Sequence, residues 1–242
     1  MIKKTYQFTD IDGGFPPFLS VINTDYLFAR GASDGVYIQE IDSEKTLLFS
    51  LRGVTATVCR LNAKADTQEL TSFLAFQGIK NVLSDFYFEE ISLEERAVLK
   101  ITPEYELISD AISITTSSKL SDYKCIFKLL SRNGSFETWY PLFSAKINKG
   151  FSCGVYMIEN SVPVSCAVAP FVYENSGVIA GVFTDENHRN KGYATRCVKS
   201  LLSELQKKNI KEVYLWCEDK NIKLYENIGF SLYGKIYIKK EE

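Results

Sequence analysis

The 242-residue chain has one histidine, His188, and six cysteines, no two of which are close enough to form a CxxC pair. That scarcity leaves no zinc constellation of the usual spacing, and any Ser-His-Asp or Cys-His mechanism would rest on a single imidazole. Charge of one sign is missing too. Lys+Arg 28 against Asp+Glu 30 gives a net charge of -2, without the basic excess of a nucleic-acid or membrane-surface binder. No apolar run approaches the roughly 18 residues needed to cross a bilayer. No apolar stretch follows Met1-Ile2-Lys3-Lys4-Thr5-Tyr6, so no signal peptide is expected. Repeats and low-complexity tracts are absent. Cys59, Cys125, Cys153, Cys166, Cys197 and Cys217 sit mostly in apolar runs, which suits reduced, buried thiols in a cytoplasmic protein.

What is present suits a folded core. Hydrophobic residues make up 45% and charged residues 24%, and the length fits one large domain or two modest ones. Residues 36–41, 46–51 and 54–60 read as strands around an acidic turn and Arg52-Gly53. Asp66 and Glu69 then form an N-cap and capping-box acid, Leu70, Phe73 and Leu74 share a helical face, and Gly78 is a C′ stop. A short strand at 81–83 completes the order β-β-β-α-β. In the middle, 93–101 mixes charge with apolar residues and Pro103 suggests a break. Residues 110–115 alternate like a strand, and Tyr123, Phe127 and Leu130 recur at helical spacing. Residues 136–149 hold a second helix, in which Pro141 must sit at the start or break it. The expected boundary falls near 103–109, giving domains 1–104 and 105–242.

The last third is the most legible. Residues 153–158 and 163–173 read as strands, and 178–184 as a nearly all-apolar strand buried on both faces. Ala194, Cys197, Val198, Leu201, Leu202 and Leu205 then trace one face of a helix. Lys207 and Lys208 complement its dipole and Asn209 can close it. Residues 213–217 form another buried strand, Asp219 can cap a short helix through 228, and Phe230, Leu232, Ile236 and Ile238 mark a half-exposed strand. This half also begins β-β-β-α-β, the order expected of two diverged copies of one unit.

The segment with chemical content is 182–195, VFTDENHRNKGYAT. A buried strand ends, a polar loop passes, and a helix opens at Gly192. The first N–H groups of a helix have no internal partner and the dipole makes them electropositive, so a pyrophosphate is a natural ligand. Gly192 removes a Cβ where the backbone must approach an anion, and Ala194 is the next smallest choice. Arg189, Lys191, Arg196 and Lys199 make this the most basic neighbourhood of the half. A glycine that only opens a helix beside solvated cations is the plain alternative. Against it stand the spacing Arg-x-x-Gly-x-Ala directly after a strand and Leu224-Tyr225-Glu226-Asn227-Ile228-Gly229-Phe230 further on.

In these two motifs, Arg189 to Ala194 and Leu224 to Phe230, the chain over roughly 105–242 resembles the GNAT superfamily of acyl-CoA-dependent N-acyltransferases. The resemblance implies an α/β (α+β) fold with a mixed sheet, splayed between its two middle strands and flanked by helices. A second, smaller GNAT-like α/β domain would stand at the N-terminus. It also implies acetyl-CoA as co-substrate and a primary amine on a small molecule, peptide or aminoacyl group as acceptor. Backbone groups of Val182, Phe183 and Thr184 would pair with the pantetheine arm, and one of their N–H groups could polarise the thioester carbonyl. The segment Arg189, Asn190, Lys191, Gly192, Tyr193, Ala194 and Thr195 would hold the pyrophosphate. Tyr225 would act as general acid to the CoA thiolate. The amine attacks directly in this family, so neither a cysteine nucleophile nor a metal is needed, and no nucleic acid or membrane partner is implied. Where many members carry an Asn seven residues before the tyrosine, this chain has Glu218, and Asn221 is not assigned in its place. His188, Glu174, Asp185 and Glu218 are base candidates that also read as solvated surface groups.

The N-terminal half lacks the phosphate motif: residues 61–66, LNAKAD, contain no glycine. Asp66 and Glu69 there would repel a phosphate. That half is therefore expected to be a degenerate copy that walls the acceptor site. The other functional class that fits is a non-catalytic acyl-CoA-binding or regulatory module.

Overall fold

The computed structural model describes every residue except 7–13, 30, 32–33, 103–109, 131–134 and 240–242. The expected boundary at 103–109 lies outside the described residues. The chain divides into two compact units, Met1–Val98 with Tyr233–Glu242, and Leu99–Leu232.

The N-terminal unit contains β1 (Ile2–Thr5), α1 (Pro16–Leu27), β2 (Gly35–Ile41), β3 (Glu44–Arg52), β4 (Thr55–Arg60), α2 (Thr67–Phe76) and β5 (Asn81–Ser84), followed by β6 (Glu94–Ile101). Asp42 and Ser43, at φ 49 and 65, turn β2 into β3, the two left-handed residues that a tight hairpin requires. β2, β3 and β4 are antiparallel, and β5 returns parallel to β4 with α2 as the crossover. Tyr37, Leu47, Phe49, Leu51, Ala56 and Val58 pack with Leu70 and Leu74 of α2. The Asp66 side chain accepts from the Glu69 N–H at 2.9 Å, and Gly78 closes the helix at φ 69. The Glu69 carboxylate does not return to Asp66, as a capping box would have it. It accepts instead from the Ile2 N–H and from Gln39 Nε2. α1 escapes the sequence pattern because Ser20, Thr24 and Asp25 lie on its buried side. Asp25 is satisfied there by Arg52 and Ser50, at 2.9 and 3.0 Å.

The second unit continues with β7 (Ile112–Ser113), α3 (Leu120–Leu130), α4 (Phe136–Asn148), β8 (Cys153–Glu159), β9 (Val162–Ala169), β10 (Phe171–Tyr173), β11 (Ser176–Ile179) and β12 (Gly181–Thr184). It ends with α5 (Tyr193–Lys207), β13 (Glu212–Cys217) and α6 (Ile222–Glu226). The last strand, β14 (Ser231–Lys239), pairs antiparallel with β5, Ile238 opposite Leu83. A four-stranded sheet runs β12-β9-β8-β7. α3 and α4 cover one face of it through Tyr123, Ile126, Leu129, Phe143 and Ile147. α5 covers the other through Cys197, Val198, Leu201, Leu202 and Leu205.

Besides the capping box, four local expectations are corrected. Residues 163–173 are not one strand, because Pro170 has no N–H for the ladder and separates β9 from β10. Residues 178–184 are not one strand buried on both faces. β11 pairs parallel with β13 as far as Ile179 opposite Leu215, whereas β12 pairs antiparallel with β9. The exchange of partner at Ala180 leaves all four residues of β12 half-buried. Pro141 lies inside α4 without breaking it. The carbonyl it leaves without an i+4 donor is that of Glu137, an exposed residue that water can serve. Asp219 does not cap the following helix: it opens the 3-10 turn Asp219–Asn221, whose N-cap is Glu218.

Candidate coenzyme cleft

The exchange of partners at Ala180 makes the cleft. β12 is the end strand of its sheet, so one of its edges has no strand partner among the described residues. After Thr184 the chain turns through Glu186–His188, where Asp185 caps the turn by accepting from the Asn187 N–H at 3.1 Å. Two residues then take left-handed backbone, Asn190 at φ 61 and Gly192 at φ 79. Asparagine and glycine are the residues for which that region costs least. Gly192 is the N-cap of α5 and supplies no side-chain cap, and no acidic residue stands in the first turn of that helix. A Cβ on Gly192 would meet no atom within 4 Å, so its backbone is open to whatever occupies the cleft. The N–H groups of Asn190, Lys191 and Gly192 donate to no described group.

These elements enclose a cavity of about 660 Å³ lined by Val182, Phe183, Thr184, His188, Arg189, Asn190, Gly192, Tyr193, Ala194, Thr195, Glu218, Lys220, Asn221 and Leu224. Nine of the ten candidate coenzyme residues therefore share one wall system. Lys191 is the exception: its Nζ is 3.7 Å from the Glu159 carboxylate. Arg189 is on the wall, with its guanidinium 3.2 Å from Glu186 and 3.4 Å from the Thr184 carbonyl.

Tyr225 does not line the cavity. It is 8% exposed and packs in the core of the unit, edge-on to Phe230 at 5.9 Å between ring centroids. Its neighbour Leu224 reaches the wall. Burial, then the nearby Cys217, pushes the phenol up to about 12. Its hydroxyl makes no hydrogen bond among the described residues. No described side-chain oxygen is both sealed off and unpartnered, so this hydroxyl keeps a small opening to solvent.

The base candidates separate. Glu174 is exposed at the tip of a turn, at φ 51. Asp185 is engaged by His188 Nδ1 at 2.9 Å and then by the Asn187 N–H, which hold its carboxyl below the usual range. Glu218 lines the cavity, paired with Lys220 at 2.5 Å. Asn221 lines it as well, one helical turn from the position where the resemblance calls for an Asn. Glu159 is the residue the sequence does not announce. It ends a strand far from either motif, yet its carboxylate receives groups from the loop. Among the described residues no group of three or more His, Cys, Asp or Glu could hold a metal, and no helix is long and apolar enough to cross a membrane.

Residues 122–230 match the family model described as Acetyltransferase (GNAT) family. No curated protein matches the chain. Among solved structures, the fold is similar to a GCN5-related N-acetyltransferase from Kribbella flavida, at 12% identity over 95% of this chain and 96% of that one, TM-score 0.60. A GCN5-related N-acetyltransferase from Sphaerobacter thermophilus aligns at 12% identity over 92% and 91%, TM-score 0.59. A tandem GNAT protein from the clavulanic acid biosynthesis pathway, without AcCoA, aligns at 8% identity over 92% and 94%, TM-score 0.58. Identities this low speak for the fold alone.

Proposed function

We propose that the chain, whose residues 122–230 match the GNAT acetyltransferase family model, transfers an acetyl group from acetyl-CoA to a primary amine by direct attack. The observation that carries this reading is the row of unused N–H groups at Asn190, Lys191 and Gly192 in front of α5. Free amides at an electropositive helix start are suited to a pyrophosphate, each charge-assisted hydrogen bond contributing roughly 1.5–3 kcal/mol. The residues fit the coenzyme in shape as well. Val182, Phe183 and Thr184 lie on β12, whose outer edge has no strand partner among the described residues, and an extended amide chain pairs with such an edge as a strand would. Arg189 adds positive charge on the wall.

Acetyl-CoA supplies the activated acyl group. The chain's part is to orient it, to offer a β12 N–H to the carbonyl oxygen, and to hold a proton at Tyr225 Oη for the departing sulfur. A phenol lifted to about 12 stays protonated at neutral pH. The N-terminal unit is proposed as a degenerate copy. The corresponding place after β4 holds a smaller cavity of about 260 Å³, lined among others by Arg60, Thr67 and Phe86. The start of α2 is already occupied by the Asp66 carboxylate. A second reading, a non-catalytic acyl-CoA-binding module, draws on the absence of Tyr225 from the cavity wall.

Two measurements test the proposal. Thiol release from acetyl-CoA across a panel of primary amines should rise above hydrolysis for at least one amine. A chain that binds CoA and turns over none of them is the binding module instead. Calorimetry should show CoA binding to the native chain and to Gly192→Asn, whose side chain tolerates left-handed backbone. Gly192→Asp keeps that tolerance and adds a charge. One added unit charge about 5 Å from a phosphate costs on the order of 1–3 kcal/mol at effective dielectric constants of about 80 to 20. Undiminished binding by the Asp variant would remove the loop from the coenzyme site.

A further inference from the structure

We propose that Glu159 is a positioning residue for the phosphate loop: a carboxylate outside the loop that fixes it at three points and so preforms the cradle. The inference rests on the coenzyme reading above and goes beyond it, because Glu159 belongs to neither motif and does not line the cavity.

The backbone of Glu159 is anchored. Glu159 is the last residue of β8, opposite Val162 of β9, and Asn160 and Ser161 close that hairpin with φ 50 and 65. Three side chains of the loop converge on it. The Tyr193 hydroxyl donates to Oε1 at 2.5 Å, His188 Nε2 is 3.0 Å from Oε2, and Lys191 Nζ is 3.7 Å from Oε2. They flank the free amides on both sides: His188 stands before them, Lys191 among them, and Tyr193 at the first helical residue. His188 is held at its other ring nitrogen by Asp185, at 2.9 Å, which ties the same cluster to the end of β12. The Tyr193 hydroxyl, followed by Lys191 and His188, keeps the Glu159 carboxyl below the usual carboxylate range.

The loop needs such a support. The amides of Asn190, Lys191 and Gly192, which the ligand would use, donate to no group among the described residues. Backbone bonds hold its flanks, His188 N–H to the Asp185 carbonyl and Arg196 N–H to the Gly192 carbonyl, but none is donated by the three amides between, and glycine adds conformational freedom. A side-chain clasp confers order without consuming the amides. It also draws the Lys191 ammonium out of the cavity wall, so recognition falls to backbone groups and Arg189. Ordering a loop before the ligand arrives removes part of the entropic cost of binding.

The test uses the full chain as the native protein, Glu159→Gln and Glu159→Ala, titrated calorimetrically with CoA, ADP and pantetheine. ADP carries the pyrophosphate without the arm, and pantetheine the arm without the pyrophosphate. Glu159→Ala should weaken CoA and ADP about tenfold, the scale of one charge-assisted contact, and leave pantetheine unchanged. Glu159→Gln should fall between, since its amide oxygen still accepts from Tyr193 but carries no charge for Lys191 or His188. Equal or tighter binding of CoA by Glu159→Ala overturns the proposal, as does an equal loss for all three ligands, which is the mark of general loosening. Should the alanine variant not fold, the glutamine variant makes the same comparison. A native chain that binds neither CoA nor ADP sinks the coenzyme reading itself, which the variants cannot do.

Discussion

Replacing Tyr225 by Phe deletes one oxygen and keeps the ring against Phe230. Because that oxygen makes no hydrogen bond among the described residues, its loss leaves no partner stranded, and folding stability should hardly change. The effect on turnover follows from the environment of the phenol. Burial lifts it to about 12, against about 8.5 for an ordinary thiol. Full proton transfer to a thiolate is therefore uphill by roughly 3.5 units, or about 5 kcal/mol. What Tyr225 can contribute is a hydrogen bond to sulfur as negative charge develops, about 1.5–3 kcal/mol. Turnover of Tyr225→Phe should then drop roughly tenfold to 150-fold, with CoA affinity and melting temperature close to native. The assay is the initial rate of thiol release at saturating acetyl-CoA with an amine that supports turnover, beside calorimetry and thermal denaturation of the same samples. A phenol at about 12 keeps its proton below pH 10, so no loss of rate in that range should trace to it. Unchanged turnover refutes the assignment. So does a fall in rate accompanied by equal falls in affinity and stability, because the hydroxyl would then be acting through packing.

Two further outcomes follow from the same geometry. A Cβ on Gly154 of β8 would lie 3.1 Å from both Ile126 and Phe143, so Gly154→Val should overpack the face under α3 and α4 and cost about 1–3 kcal/mol in denaturant titration. A native-like midpoint would mean that those helices are not seated there. Glu212 is held below its ordinary carboxylate value, first by Lys100 at 2.6 Å and then by the Tyr214 hydroxyl at 2.7 Å. Its folded value being depressed, this contribution is present above the unfolded carboxylate range and is lost as pH falls through the folded value. Glu212→Gln should therefore melt modestly below the native chain at neutral pH, the gap closing in acid. A gap that stays constant with pH would assign the effect to something other than ionisation.

Local signals were enough wherever a residue acts on near neighbours in sequence or through helical period. Asp66 caps α2, Gly78 and Asn209 take left-handed backbone at helix ends, and the apolar stripe from Cys197 to Leu205 is buried as its period requires. Gly192 belongs with them, since an uncapped helix start after a strand is a feature of neighbouring residues. Features that depend on a distant partner left no such trace. α1 hides its amphipathicity because Asp25 is neutralised by Arg52 of β3. The break at Ala180 is marked in the sequence only by Gly181 inside an otherwise apolar run, while the change of hydrogen-bonding partner that makes it leaves no local trace.

The sequence by itself determined the loop and its motifs: the glycine turn ahead of α5, proposed above to bind an anion, and the two motifs that point to acyl transfer, both properties of contiguous residues. Only the tertiary structure decided what surrounds them. It parted β11 from β12 to open the cleft, set Tyr225 behind the wall instead of on it, brought Glu159 from the end of β8 to the loop, and assigned the final strand to the N-terminal unit. Each of these is a pairing across many residues, fixed by which edges and charges meet once the chain has folded, and no local periodicity records such a meeting.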